Sequence, residues 1–199
     1  VNLAKDVTGE YQIIADPGNP QLIIGDGSIH KFNFSVSVSI AATLGQVLIN
    51  GRLNGTDANS GAAVSDNTAD TTHTWIVKNA PIVGIKGFYP SQLQVTKNQT
   101  MPWNMTMIMQ NNGGTAVRLD SASAAFFLGG CNVSPEYTVV KPVIFSKSKT
   151  NLLAGGTIDT LKYTVTKTGS SIGQVTIRAR VYLRDVGTGN PLPPDETFA

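Results

Sequence analysis

The sequence is poor in charge. Only 14% of its 199 residues are Asp, Glu, Lys or Arg, against roughly 25% in an average soluble domain, and the formal net charge is +2. Lys and Arg stand singly among apolar and hydroxyl residues, so the chain has no basic stripe of the kind a nucleic acid backbone requires. Cysteine occurs once, at Cys131, which excludes an intrachain disulfide and a Cys-based metal site. Beside "LGG" it reads as a half-buried small residue. Histidine occurs twice, at His30 and His73. Both fall on or near expected strands, away from any Ser or Cys in a triad-like arrangement, so a neutral-pH base has little to act on. No carboxylate pair recurs as a glycosidase needs, and no Gly-rich phosphate loop joins a strand to a helix. No apolar run approaches the roughly 18 residues of a membrane-spanning helix. Val1 opens without a charged and apolar leader, so the expectation is a mature product or a piece of something longer.

What the sequence does hold is alternation. "FNFSVSVSI" (Phe32 to Ile40), "WNMTMIM" (Trp103 to Met109), "LKYTVT" (Leu161 to Thr166) and "QVTIRARVYL" (Gln174 to Leu183) each place apolar side chains on one face of a strand. "DPGNP", "GDG", "NNGG", "LGG" and "GTGNP" punctuate these runs as turns. That spacing predicts an all-β protein of antiparallel sandwich type. Trp103, Met105, Met107 and Met109 form the most apolar face and are expected in the core, with Asn104, Thr106 and Ile108 turned the other way.

The chain also repeats itself. "GQVLINGRLNGTDANSG" (Gly45 to Gly61) and "GQVTIRARVYLRDVGTG" (Gly173 to Gly189) place Gly, Asp and Gly at positions 128 residues apart. Upstream, "VTGEY" (Val7 to Tyr11) pairs with "VSPEY" (Val133 to Tyr137) at an offset of 126. Such self-similarity marks tandem units. The Pro after the strand-like "TWIV" puts the boundary near "VKNAPIVGI", giving units 1–80 and 81–199. In this register the segment from Pro81 to Phe126 has no counterpart in the first unit, and "THTWIVK" has none in the second. The first unit is thus expected to lack its N-terminal strands and the second its last strand. An incomplete sandwich leaves backbone groups unpaired, at about 1–3 kcal/mol for each one buried. Either the natural protein continues, or a neighbouring chain supplies strands.

"FYPSQLQVTKNQTMPWNMTMIMQNNGGTAVRLDSASAAFFLG", followed by "YTVV", "LLAGGTIDTLKYTVTKT" and "GQVTIRARVYLRDVGTG", resembles the tandem immunoglobulin-like repeats of prokaryotic cell-surface proteins, of the CARDB type. The shared features are a strand ending in "NNGGTA", a "GG" before the next long strand, and "G-Q-V-x-I" leading to a Gly/Asp loop. They cover nearly all of the chain and concern turns and strands. The resemblance implies two immunoglobulin-like sandwiches in tandem, in an extracellular stalk, adhesin or filament component; a fold analogy does not by itself name a ligand.

Several residues have two readings each. Asp57, Asn59, Asp66 and Asp70 offer oxygens in a Gly-rich setting, and calcium takes six to eight such ligands at about 2.4 Å. The same residues close turns through backbone hydrogen bonds without any ion. Asn33, Asn54, Asn98, Asn104 and Asn132 each open an Asn-x-Ser/Thr triplet, acceptors in an organism that N-glycosylates and chance products of an Asn/Ser/Thr-rich chain otherwise. Lys31 and Lys162 are possible members of a Lys–Asn isopeptide bond if they are buried. The leading expectation is a non-enzymatic extracellular structural or adhesive repeat protein without a required cofactor. Its partners are neighbouring copies or adjacent repeats, joined head to tail by exchanged strands. The alternative is a carbohydrate-binding or calcium-dependent adhesion module of a larger secreted protein, contacting a glycan or surface ligand. A glycan platform needs aromatics on one sheet face, whereas Trp75, Tyr89 and Trp103 lie on different expected strands.

Overall fold

The computed structural model describes residues 9–20, 22–23, 27, 29–49, 53–66 and 73–199. All regular structure among them is β, save one short 3-10 turn at Ser134–Glu136. The chain divides into two compact units, Val1–Lys78 and Asn79–Ala199.

The first unit holds β1 (Tyr11–Ala15), β2 (Phe34–Val38), β3 (Gly45–Ile49), β4 (Leu53–Thr56), β5 (Ala63–Asp66) and β6 (His73–Val77). They form three antiparallel pairs: β1 with β2, β3 with β6, and β4 with β5. The last two pairs are the arms of one hairpin, since β4 and β5 flank the loop after Thr56 while β3 and β6 pair farther out. Val47 lies opposite Trp75 in the outer pair.

The second unit holds β7 (Val83–Pro90), β8 (Trp103–Asn111), β9 (Val117–Leu128), β10 (Cys131–Asn132), β11 (Thr138–Val140), β12 (Leu152–Leu153), β13 (Ile158–Lys167), β14 (Val175–Asp185) and β15 (Asp195–Phe198). One sheet runs β11-β13-β8-β7; the other runs β10-β9-β14-β15, with β12 also on β9. Alternation decides what lies between them. Along β8, Trp103, Met105, Met107, Met109 and Asn111 are buried while the residues between are half-exposed. Ile177, Ala179, Val181 and Leu183 of β14 face them from the other sheet within one apolar cluster. This is the two-layer sandwich that period-two patterning dictates. The "FYP" segment forms edge strand β7 and the Met-rich segment a central strand, β8.

Side-chain hydrogen bonds seal the sandwich at its margins. Asp195 of edge strand β15 accepts from the Ile85 N–H of edge strand β7 at 3.0 Å, at the β-bulge between Ile85 and Gly87, tying one sheet to the other. Asn111 ends β8 inside the protein. Its Oδ1 accepts from Gly113 N–H (3.0 Å) and Ile82 N–H (3.3 Å), and its Nδ2 donates to the Thr115 and Leu153 carbonyls (2.8 and 3.4 Å). Asn111 thereby organises the "NNGG" turn, where a Cβ on Gly113 would run into the backbone of Ala80 and Pro81. Cys131 is exposed, contrary to the half-buried expectation, because β10 is a two-residue edge strand directly after the Gly129–Gly130 turn.

Candidate functional site

Two local devices occur once in each unit at matched positions. The first is the hairpin loop. Asp57 N–H donates to the Ala62 carbonyl (2.8 Å), and Gly61 N–H donates back to the Asp57 carbonyl (2.9 Å). The Asp57 carboxylate accepts from the Asn59 and Ser60 N–H groups at 2.8 and 2.7 Å, which holds it below the ordinary carboxylate range. In the second unit Asp185 N–H donates to the Asn190 carbonyl and Gly189 N–H to the Asp185 carbonyl, both at 2.9 Å. The Asp185 carboxylate accepts from Gly187 N–H and the Thr188 hydroxyl at 2.8 and 2.9 Å. Gly61 and Gly189 adopt φ of 71° and 74°, the left-handed conformation that glycine tolerates best. Even the pairing beyond the loop matches: Thr56 lies opposite Ala63 and Arg184 opposite Pro191.

The second device is a clasp between a glutamate and a hydroxyl. The Thr43 hydroxyl donates to Glu10 Oε1 at 2.6 Å, and the Ser171 hydroxyl donates to Glu136 Oε1 at 2.7 Å. Each clasp ties the residue before a tyrosine, Tyr11 or Tyr137, to the chain entering a long hairpin arm, β3 or β14. Glu136 Oε2 also accepts from the N–H groups of Ser170 (2.8 Å) and Ser171 (2.9 Å). The Ser171 hydroxyl and N–H lead the effects that pull its carboxyl down to about 2.

Beside the second clasp lies a cavity of about 720 Å³, lined by Trp103, Phe126, Tyr137, Val175, Ile177 and the 92–97 loop among others. Phe126 and Tyr137 stack face to face there, with ring centroids 4.0 Å apart. Trp103 is buried, and its indole N–H has no hydrogen-bond acceptor among the described residues. Hydrogen bonds from Gln99 N–H to the Thr168 hydroxyl and from that hydroxyl to the Thr96 carbonyl, both 2.7 Å, fix one wall. Along one edge, β14 pairs with β15 as far as Ile177, whose N–H and carbonyl both bond to Ala199 (2.7 and 2.8 Å). Backbone direction alternates along a strand, so the N–H and carbonyl of Val175 point to the same side as those of Ile177, beyond that last pair.

The residues proposed for chemistry sit as follows. Asp57 and Asn59 share the hairpin loop, whereas Asp66 lies at the far end of β5, roughly 13 Å along the strand at 3.3 Å per residue; Asp70 lies outside the described residues. The structure therefore gathers Asp57 and Asn59 but not Asp66, and the turn-closing role of Asp57 is explicit in its hydrogen bonds. No metal-holding group of three His, Cys, Asp or Glu exists among the described residues. Asn33, Asn54, Asn98 and Asn132 are exposed, while Asn104 is half-buried with its Oδ1 accepting from the Thr164 hydroxyl at 3.0 Å. Asn132 Oδ1 accepts from Ser134 N–H at 3.0 Å, and Asn33 N–H donates to Asn19 Oδ1 at 2.7 Å. Lys31 and Lys162 are exposed, which removes the burial an isopeptide bond needs, because Lys162 takes the outward step of the β13 alternation. His30 is exposed, and nothing is described of the His73 side chain. Trp75 is half-buried in β6, Tyr89 exposed in β7 and Trp103 buried in β8, so the three share no face.

The Glu136 clasp and the cavity escaped sequence reading. The matched "GEY" and "PEY" triplets were a signal for the clasp, but its hydroxyl partners lie more than thirty residues away. No described helix is long and apolar enough to cross a membrane. No family model matches the chain, and no curated protein does. Among solved structures, the secreted serine protease VesC from Vibrio cholerae is similar over 58% of this chain and 22% of that one, at 14% identity and a TM-score of 0.34.

Proposed function

We propose that this chain is a non-enzymatic, extracellular structural repeat protein of immunoglobulin-like type, building a surface stalk or filament whose units are completed by strands from neighbours. One observation carries the reading: the same Asp–Gly hairpin turn is built twice, with matching hydrogen bonds, 128 residues apart. A device copied with its geometry belongs to a modular architecture, in which each unit contacts the next and load passes along strands. The joining mode proposed here is supported by the pairing of the first unit. Its described strands form three separate pairs, and isolated pairs of strands are marginal in water.

The test is the molar mass of the chain by light scattering across a concentration series. The expected outcome is a mass that rises above 21.0 kDa with concentration, as chains complete one another. A mass fixed at 21.0 kDa throughout would overturn assembly by exchanged strands.

A further inference from the structure

The sequence scatters its arginines and the fold collects them. Of the chain's five arginines, four stand on the outward face of the β10-β9-β14-β15 sheet: Arg118 of β9, and Arg178, Arg180 and Arg184 of β14. Alternation puts them there, since Ile177, Ala179, Val181 and Leu183 take the inward steps of β14. Register then sets Arg184 beside Arg118, Tyr182 beside Ser121, and Arg180 between Ser123 and Glu196. The four form two centres, each built on one carboxylate. Glu196 accepts from Arg178 Nη2 at 2.8 Å and from Arg180 Nε and Nη2 at 3.0 and 2.6 Å. Asp120 accepts from Arg118 Nε at 3.2 Å and from Arg184 Nε at 3.0 Å. With two cations to one anion, each centre keeps one positive charge uncompensated. These bonds do not seal the guanidinium groups. The four side chains remain between 36% and 49% exposed, and each keeps at least two of its five N–H groups for another acceptor. Beside Arg118 and Arg184 a cavity of about 190 Å³ is lined by Leu152, Asp185, Val186 and Gly189. The Asp185 carboxylate is already engaged by the Gly187 N–H and the Thr188 hydroxyl.

We infer that this sheet face is a docking surface for an acidic polysaccharide, whose carboxylates are gripped by the two arginine centres. The planar guanidinium fork matches a carboxylate, and these arginines already hold Asp120 and Glu196 in that way. Length requires a polymer. Arg178 and Arg184 are six residues apart on one strand, about 20 Å at 3.3 Å per residue, so a ligand that meets both centres carries carboxylates that far apart. Between the centres stand hydroxyls, those of Tyr182, Ser121 and Ser123, which suit the hydroxyls of a sugar. A sheet face offers no main-chain groups to an extended peptide, whose capture as an added strand relies on them. A nucleic acid strand carries a charge about every 3.4 Å, far denser than two separate centres can match. The inference goes beyond the structural reading above and does not depend on it, because exchanged strands pair at sheet edges and leave this face open.

The test is titration of the full chain with an oligogalacturonate, followed by calorimetry and by the arginine Nε–H resonances. The expected result is saturable binding that weakens as salt rises, with shifts confined to Arg118, Arg178, Arg180, Arg184 and their strand neighbours. Carboxyl-reduced oligosaccharide of the same length keeps the hydroxyls, loses the charge and should not bind. Arg118→Gln and Arg178→Gln each remove one cation and leave the carboxylate its other arginine. Each should weaken binding about tenfold with the circular dichroism spectrum unchanged. Arg118→Lys keeps the charge without the fork and should also bind more weakly. Equal binding by that variant would mean that charge alone is read, which overturns the carboxylate assignment. Should the variants fail to fold, the carboxyl-reduced ligand carries the test on the unaltered chain, and its binding as tightly as the parent sugar overturns the inference. Tighter binding of dextran sulfate, polyglutamate or oligothymidylate at matched charge would assign the face to another polyanion and overturn it too. So would shifts away from the four arginines, or no binding at all.

Discussion

Asn111 is a fully buried polar side chain that uses all its hydrogen-bonding capacity, two acceptances and two donations, on four backbone groups. Truncation to Ala leaves those groups without partners in a dry interior, where each costs about 1–3 kcal/mol. Asn111→Ala should therefore lower the unfolding free energy of the second unit by about 3 kcal/mol, read as a shift in urea midpoint at constant slope. A loss below about 1 kcal/mol would mean that water replaces the amide. Glu136 makes the companion case in charge. Its carboxyl is held near 2 instead of 4.5, chiefly by the Ser171 hydroxyl and N–H. A depressed carboxyl stabilises the fold above its unfolded value and loses that contribution as pH falls through its folded one. The melting temperature of the second unit should accordingly fall between about pH 4.5 and about 2, and Glu136→Gln should flatten that segment of the curve. An identical acid limb in the variant would show that the clasp contributes nothing. Neither role was legible in the sequence. Asn111 lies in a run that reads only as a turn, and the partners of Glu136 are brought to it by the fold.

The strands were far more legible, because their signal is local. Alternation of apolar residues in β8, β13 and β14 announces itself within ten residues, and the buried and exposed steps follow it. Registers and bulges were not legible, since the slips between Ile85 and Gly87 and between Tyr182 and Leu183 depend on what lies across the sheet. The hairpin loops stand between these cases. Gly61 and Gly189 were visible as matched glycines, and the structure gives the reason in their left-handed φ. A Cβ at either site meets nothing within 4 Å, so substitution by Ala isolates the backbone cost, about 1–2 kcal/mol. Gly189→Ala should lower the stability of the second unit by that amount. Gly113→Ala, which drives a Cβ into backbone atoms, should cost distinctly more. Equal losses at both positions would make the strain of the αL residue as costly as the close approach at Gly113 and refute the ranking.

At the scale of the whole molecule, burial among the described residues is divided very unequally. Eighteen buried apolar residues form the core cluster of the second unit, whereas the buried apolar residues of the first unit, among those described, are Tyr11 and Val47. Each such side chain supplies about 1.5–3 kcal/mol, while fixing one residue's backbone costs about 1–2 kcal/mol. Among the described residues, two buried side chains do not offset the ordering of the six strands described. Hydrogen exchange of the dilute chain should therefore find β8, β9, β13 and β14 strongly protected and β1 to β6 exchanging faster by orders of magnitude. The assembly proposed above adds a second dimension to that experiment, because neighbours that complete the first unit supply the apolar surface it does not bury. Protection of β3 and β6 should rise with chain concentration while that of β8 stays constant. Strong protection of β1 to β6 at the lowest concentration would mean that the first unit is stable without a neighbour, which removes the physical need for strand exchange between chains.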